Sequence, residues 1–169
     1  AEEKHGMAVF MDEWKSLYES KSGERGIFNR KAAWSQATKF GRRDPDHKFG
    51  VNPCGEILLR SMGFCNLTEA VVRGSDTKET LKEKIRLATI LGTFQSTLTN
   101  FKYLRKQWKD NADEERLLGV SLTGIMDSVL TNQPHPKHLQ ELREFAVETN
   151  KEWAEKLGIN QSVAVTTVK

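Results

Sequence analysis

The stretch Asn52-Pro53-Cys54-Gly55-Glu56-Ile57-Leu58-Leu59-Arg60-Ser61-Met62-Gly63-Phe64-Cys65-Asn66-Leu67-Thr68-Glu69-Ala70-Val71-Val72 decides how the chain is read. Its two short apolar runs, Ile57-Leu58-Leu59 and Ala70-Val71-Val72, have the length and composition of strands in a sheet with covered faces. Upstream, Gly41, Pro45, Gly50 and Pro53 lie among alternating charges, which predicts a loop over residues 42–53. Downstream, Asp76 followed by Glu79 predicts a helix N-terminus. Leu81, Ile85, Ala88, Leu91, Phe94, Leu98 and Phe101 then predict one face of a long helix. Strands interleaved with long helices predict an α/β fold.

The same periodicity extends outward in both directions. Val9, Phe10, Trp14, Leu17 and Tyr18 predict a helix over residues 8–20, and a second amphipathic stretch runs over 30–40 and ends at Gly41. Leu117, Leu118, Leu122, Ile125, Met126 and Val129 predict a helix over about 114–130, with Gly119 and Gly124 marking close packing or a break. After Pro134 and Pro136, the residues Leu139, Leu142, Phe145, Ala146, Trp153 and Leu157 describe a final helix stopped by Gly158. Residues 162–168 read as extended. Lys102, Arg105, Lys106 and Lys109 read as a basic helix C-terminus, where cations suit the dipole.

Composition narrows the function classes. The 169 residues carry 26 Lys and Arg against 23 Asp and Glu, a net charge of +3 with mixed signs, which argues for neither nucleic acid nor anionic lipid as a partner. No apolar run approaches the roughly 20 residues of a membrane helix. Two cysteines are too few for a disulfide scaffold, and Ala1-Glu2-Glu3-Lys4-His5 is unlike a signal peptide, so a reducing cytoplasmic location is expected. The chain starts without Met and stops on the apolar run Val163–Val168, from which it is expected to be a fragment of a larger protein.

Phosphate-loop, Cys-x-x-Cys and His-Glu-x-x-His signatures are absent, and His135 and His138 flank a proline turn, so no metal is assigned. Asn52, Cys54 and Glu56 stand at alternate positions, which on extended backbone face the same way. An amide can hold hydroxyls, a carboxylate can exchange a proton, and a thiol can supply a nucleophile or a hydrogen atom. Cys65 follows eleven positions after Cys54, close enough to share the site. Spacing alone leaves open that both cysteines are small buried residues and Glu56 a solvated carboxylate. Arg42, Arg43 and Lys48, interleaved with Asp44 and Asp46, read as a solvated loop.

Asn52-Pro53-Cys54-Gly55-Glu56-Ile57 followed by Phe64-Cys65-Asn66-Leu67 closely resembles the active-site segment of the adenosylcobalamin-dependent (class II) ribonucleotide reductases, particularly the monomeric ribonucleoside-triphosphate type. Three further stretches resemble that family. Ser22-Gly23-Glu24-Arg25-Gly26-Ile27-Phe28 is similar to its S-G-E-P-G-I-F segment, with Arg25 where proline is usual. Arg116 to Gly124 is similar to its R-x-x-G-x-x-x-x-G helix, and Val165-Thr166-Thr167-Val168-Lys169 to the strand entering its P-S-G-T loop. The short gap between Cys54 and Cys65 resembles the cobalamin-dependent type more than the iron-dependent class.

The resemblance implies part of a ten-stranded α/β barrel over residues 1–169, with a finger loop at about 50–66. It implies that Cys54 is the thiyl-radical residue, that Glu56 exchanges the 3'-hydroxyl proton, and that Asn52 hydrogen-bonds the ribose hydroxyls. Cys65 would be one half of the dithiol that reduces the 2'-position. A ribonucleotide substrate, adenosylcobalamin and a thioredoxin-type reductant would serve the complete enzyme, with no cofactor expected on this piece. The partner of Cys65, the re-reducing thiols and the phosphate loop would lie in remaining reductase segments, so this chain alone is expected not to turn over. The alternatives are a fragment of an iron-dependent class I reductase and a non-catalytic helical interaction domain.

Overall fold

A computed structural model describes residues 6–23 and 26–166. Glu24 and Arg25 of the Ser22–Phe28 motif, and Thr167, Val168 and Lys169 of the last one, lie outside the described residues. The chain divides into two units, one ending at Arg30 and one beginning at Lys31.

The first unit is built on helix α1 (Met7–Ser20), closed by Lys21 in the left-handed conformation. The helical spacing is as expected, but none of its residues is buried. Phe10 and Trp14 stack with ring centroids 6.4 Å apart. Ile27 and Phe28 follow in irregular backbone.

The second unit begins within α2 (Arg30–Thr38), one residue after its start, and Gly41 then takes a positive φ. An antiparallel hairpin follows, β1 (Phe49–Val51) with β2 (Leu58–Arg60), in the register Val51 opposite Leu58 and Phe49 opposite Arg60. The loop expected over 42–53 therefore contains a strand, which its glycine and proline content concealed. Next come β3 (Asn66–Val71), α3 (Lys78–Gln95), α4 (Lys106–Glu115) and β4 (Leu118–Thr123). A short 3-10 turn, α5 (Val129–Asn132), α6 (Pro136–Leu157) and β5 (Val165–Thr166) complete the unit.

Strands β3, β4 and β5 form a parallel sheet in that order. Ala70 and Val72 from β3 and its end, Leu118, Val120 and Leu122 from β4, and Val165 from β5 present one apolar face. Leu81, Ile85 and Ala88 of α3 and Leu142 and Ala146 of α6 cover that face together. Parallel strands require crossover connections, and here both long crossover helices pack on the same side. The fold class is α/β, as expected. The described sheets are small and open and form no closed barrel.

Three further expectations are corrected. Residues 118–123, expected to be helical, form the central strand β4. Leu118, Val120 and Leu122 alternate with Gly119, Ser121 and Thr123 as a strand requires, but Leu117, Leu118, Leu122 and Ile125 also fall at helical spacing and mask that alternation. Helix α3 starts on a Thr77 cap with a reciprocal Thr80 partner and ends at Gln95, so Asp76 precedes the cap and Leu98 and Phe101 fall beyond the helix. Arg105 is the N-cap of α4, so the basic cluster stands at a helix N-terminus and not at a C-terminus. The α6 ending is as expected, with Gly158 left-handed after Leu157.

Candidate functional site

The Asn52–Glu56 segment sits at the tip of the β1–β2 hairpin. The Gly55 N–H donates to the Asn52 carbonyl at 2.9 Å, which closes a four-residue turn with Pro53 and Cys54 at its centre. Proline presets φ at the second position of such a turn. Gly55 then takes φ +75°, which a side chain would strain. The extended geometry expected here is thus corrected. The turn chemistry of Asn-Pro-Cys-Gly overrides alternation, and the three polar residues are distributed around a bend.

Each group has a distinct setting. The Asn52 side-chain oxygen accepts from the Ile57 N–H at 3.4 Å, so the amide braces its own loop. Cys54 is exposed at the turn. Glu56 is half-buried, and neither carboxylate oxygen has a hydrogen-bond partner although both are shielded from solvent. Glu56 is among the residues that line a cavity of about 260 Å³, with Phe40, Arg42, Arg43, Arg143 and Thr166, whereas Cys54 is not. Thr166 Oγ1 donates to the Glu56 carbonyl at 3.0 Å and ties the hairpin to the end of β5. Cys65 is half-buried immediately before β3 and remains a thiol.

The segment before Cys65 is held firmly. Phe64 packs against Phe101 and Trp108, with ring centroids 5.2 and 6.0 Å away. Asn111 donates to the carbonyls of Ser61 and Met62 at 2.9 and 3.1 Å, satisfying backbone that no strand pairs.

The hairpin base is fixed by charges that the sequence reading left on the surface. Arg43 is buried, contrary to the solvated-loop expectation, because Glu115 at the end of α4 gives it a partner. Arg43 Nε donates to Glu115 Oε1 at 2.7 Å, and Arg60 Nε lies 3.2 Å from Glu115 Oε2. Arg43 also donates to the Leu58 carbonyl and stacks over Phe49, so one guanidinium grips both strands. Position alone could not reveal this, since Arg43 and Glu115 are 72 residues apart. Among the described residues no group of three or more His, Cys, Asp or Glu could hold a metal ion, and no helix is long and apolar enough to cross a membrane.

Comparison with known proteins gives one consistent result. The chain is 28% identical over 179 residues to the adenosylcobalamin-dependent ribonucleoside-triphosphate reductase of Lactobacillus acidophilus, covering 88% of this chain and 24% of the relative. It is 32% identical over 126 residues to the protein of the same name from Lacticaseibacillus paracasei, covering 67% of this chain and 15% of the relative. The Lactobacillus helveticus protein of that name is 26% identical, covering 88% and 24%. The chain therefore spans about a quarter or less of the length of the curated relatives it matches. No family model matches, and no solved structure matches.

Proposed function

The chain belongs to the adenosylcobalamin-dependent ribonucleoside-triphosphate reductase family, and from that premise we propose that it is a section of a catalytic domain that converts ribonucleotides to deoxyribonucleotides by thiyl-radical chemistry. Residues 1–169 are read as part of one ten-stranded barrel domain, its wall represented by the parallel β3–β4–β5 sheet and its finger loop by the hairpin and the turn that follows.

The observation that carries the proposal is the state of Glu56. Its carboxylate is withdrawn from water without a donor, two residues from an exposed thiol. A buried polar group without a partner is costly, and a substrate hydroxyl would supply the missing hydrogen bond. Cys54 removes the 3'-hydrogen of the ribose as an atom, converting its thiyl to a thiol. Glu56 takes the 3'-hydroxyl proton as the 2'-hydroxyl, protonated by a thiol of the Cys65 pair, departs as water, while Asn52 orients the hydroxyls. Cys65 and a partner thiol supply two electrons and become a disulfide, which a thioredoxin-type reductant reopens. Two electrons need two thiols, so Cys65 cannot serve alone.

Exposure of Cys54 at a hairpin tip fits hydrogen abstraction by a radical source held outside these residues. Adenosylcobalamin, when bound to the complete protein, supplies a carbon-centred radical there. No residue of this chain is assigned to hold it. The cytoplasm, where thiols stay reduced, is the compartment such chemistry requires.

The test is Cys54→Ser in the complete protein. Nucleotide reduction is expected to vanish while the far-ultraviolet circular dichroism and unfolding midpoint stay the same. Substantial residual turnover overturns the assignment. Turnover that persists without added adenosylcobalamin assigns the protein to the iron-dependent class instead.

A further inference from the structure

The peptide unit between Glu56 and Ile57 is held from both sides by side chains. Thr166 Oγ1 donates to its carbonyl at 3.0 Å, and the Asn52 side-chain oxygen accepts from its N–H at 3.4 Å. This unit belongs to neither regular feature around it, because the turn closes at Gly55 and the β1–β2 pairing starts with Val51 opposite Leu58. Side chains therefore supply the hydrogen bonds that a ladder would otherwise give. The Glu56 carboxylate itself has no hydrogen-bond partner. No donor aims it, so its direction follows from the backbone that carries it.

Thr166 is a firm anchor for that backbone. It pairs with Gly119 in the β4–β5 ladder, and the chain leading to it is tied at three successive residues. The Ser162 N–H donates to Asn150 Oδ1 at 2.8 Å, the Val163 N–H donates to the Glu115 carbonyl at 3.0 Å, and the Ala164 carbonyl accepts from the Leu118 N–H at 3.2 Å. Asn150 and Ser162 are buried, and Asn150 also donates to Thr93 of α3 at 3.0 Å. The two branches at the Thr166 Cβ have separate tasks. Its methyl Cγ2 faces Gly119, 3.7 Å from where a side chain there would begin, while its hydroxyl reaches Glu56. A β-branched side chain is stiff at χ1, so the methyl contact keeps the hydroxyl aimed. We infer that Thr166 is a positioning residue, which holds the Glu56–Ile57 peptide so that the Glu56 carboxylate meets the reacting hydroxyl. Asn52 completes the clamp. An N–H can donate only to the oxygen of that amide, so this bond leaves the Asn52 NH2 group to a ligand.

The inference rests on the reductase reading in taking Glu56 as the proton acceptor. It is tested on the complete protein by steady-state kinetics with a ribonucleoside triphosphate and added adenosylcobalamin, and by deuterium uptake of the segment 52–58 followed by mass spectrometry. Thr166→Val keeps the branched shape and deletes the donor. It is expected to lower kcat about tenfold or more with KM little changed, since a small misplacement of a reacting group is costly. It is also expected to speed uptake by residues 52–58 and to leave the unfolding midpoint near that of wild type. Thr166→Ser keeps the donor and is expected to retain most of kcat and the wild-type uptake. The clamp is overturned if Thr166→Val matches wild type in kcat or in uptake, or if KM alone changes. It is equally overturned if the midpoint falls while kcat per folded molecule is unchanged, or if Thr166→Ser is as damaging as Thr166→Val, which makes methyl packing on Gly119 the cause. An inactive Cys54→Ser protein with a fully active Thr166→Val removes the clamp and keeps the reductase reading. A Cys54→Ser protein that keeps its turnover removes the reductase reading, and the positioning role of Thr166 falls with it.

Discussion

Glu115 Oε1 lies 2.7 Å from Arg43 Nε, and both side chains are only 5% exposed. The same carboxylate reaches Arg60 with its second oxygen, so a single acid from the end of α4 neutralises two arginines that bracket the β1–β2 hairpin. Orientation of the hairpin tip, and with it Cys54 and Glu56, depends on this buried charge pair.

Removing one partner of a buried pair leaves the other charge uncompensated, which typically costs about 3–5 kcal/mol. Glu115→Gln is accordingly expected to lower the unfolding free energy by an amount on the order of 3 kcal/mol, read by urea denaturation. A change within experimental error would show that the triad contributes nothing. Glu114→Gln serves as the comparison, because Glu114 meets Arg60 from a largely exposed position and is expected to cost under about 1 kcal/mol.

Gly124 closes β4 with φ +73°, and a Cβ placed there would stand 2.5 Å from the Val72 carbonyl oxygen. Both the backbone conformation and the rigid neighbour oppose a side chain. Gly124→Ala is expected to cost about 2 kcal/mol or more. Gly50→Ala, with open space around its Cβ and an ordinary φ, is expected to be nearly neutral. Equal midpoints for the two variants in the same denaturation series would contradict this.

How much of this was legible beforehand depended on the range of the interactions. Helical spacing in 8–20 and 139–157 survives in the structure because it is local, and Gly158 supplies a local stop. The Leu118–Thr123 strand was hidden because Leu117 and Ile125 on its flanks extend Leu118 and Leu122 into a helical period, which masks the alternation of Leu118, Val120 and Leu122 with Gly119, Ser121 and Thr123. At the site, the residue types were readable but their arrangement was not. The Asn52–Gly55 hydrogen bond converts an apparent alternation into a turn, and Pro53 with Gly55 was the signal that favoured it. Arg42 and Arg143 share a cavity although α6 lies about a hundred residues after α2, a proximity that only the packing of α6 beside β5 creates.

The two thiols differ in access. Cys54 is exposed on the turn, whereas Cys65 is half-buried. Reaction of the native chain with a chromogenic disulfide reagent is expected to be biphasic, one thiol reacting fast and one slowly, since access governs thiol exchange. Cys54→Ser is expected to delete the fast phase and Cys65→Ser the slow one. The opposite assignment would place Cys54 inside the fold and away from any external radical source.

Asp76 couples the end of β3 to the start of α3. Its carboxylate accepts from Lys84 at 2.6 Å, from the Arg73 N–H at 2.8 Å and from Thr80 Oγ1 at 3.0 Å, while Lys84 also donates to the Val71 carbonyl. The Lys84 hydrogen bond first, then that of the Arg73 backbone, hold the carboxyl below its usual range. A carboxyl whose value is lower in the folded chain stabilises it fully above the unfolded value of about 3.9. That contribution is lost as pH falls through 3.9 towards the lowered value, because the proton then binds the unfolded chain first. Comparison of wild type with Asp76→Asn by thermal unfolding should therefore give a constant stability gap from about pH 7 to pH 5, closing steadily below about pH 4. A gap that widened on acidification would mean that the carboxylate is strained rather than stabilised by its three donors.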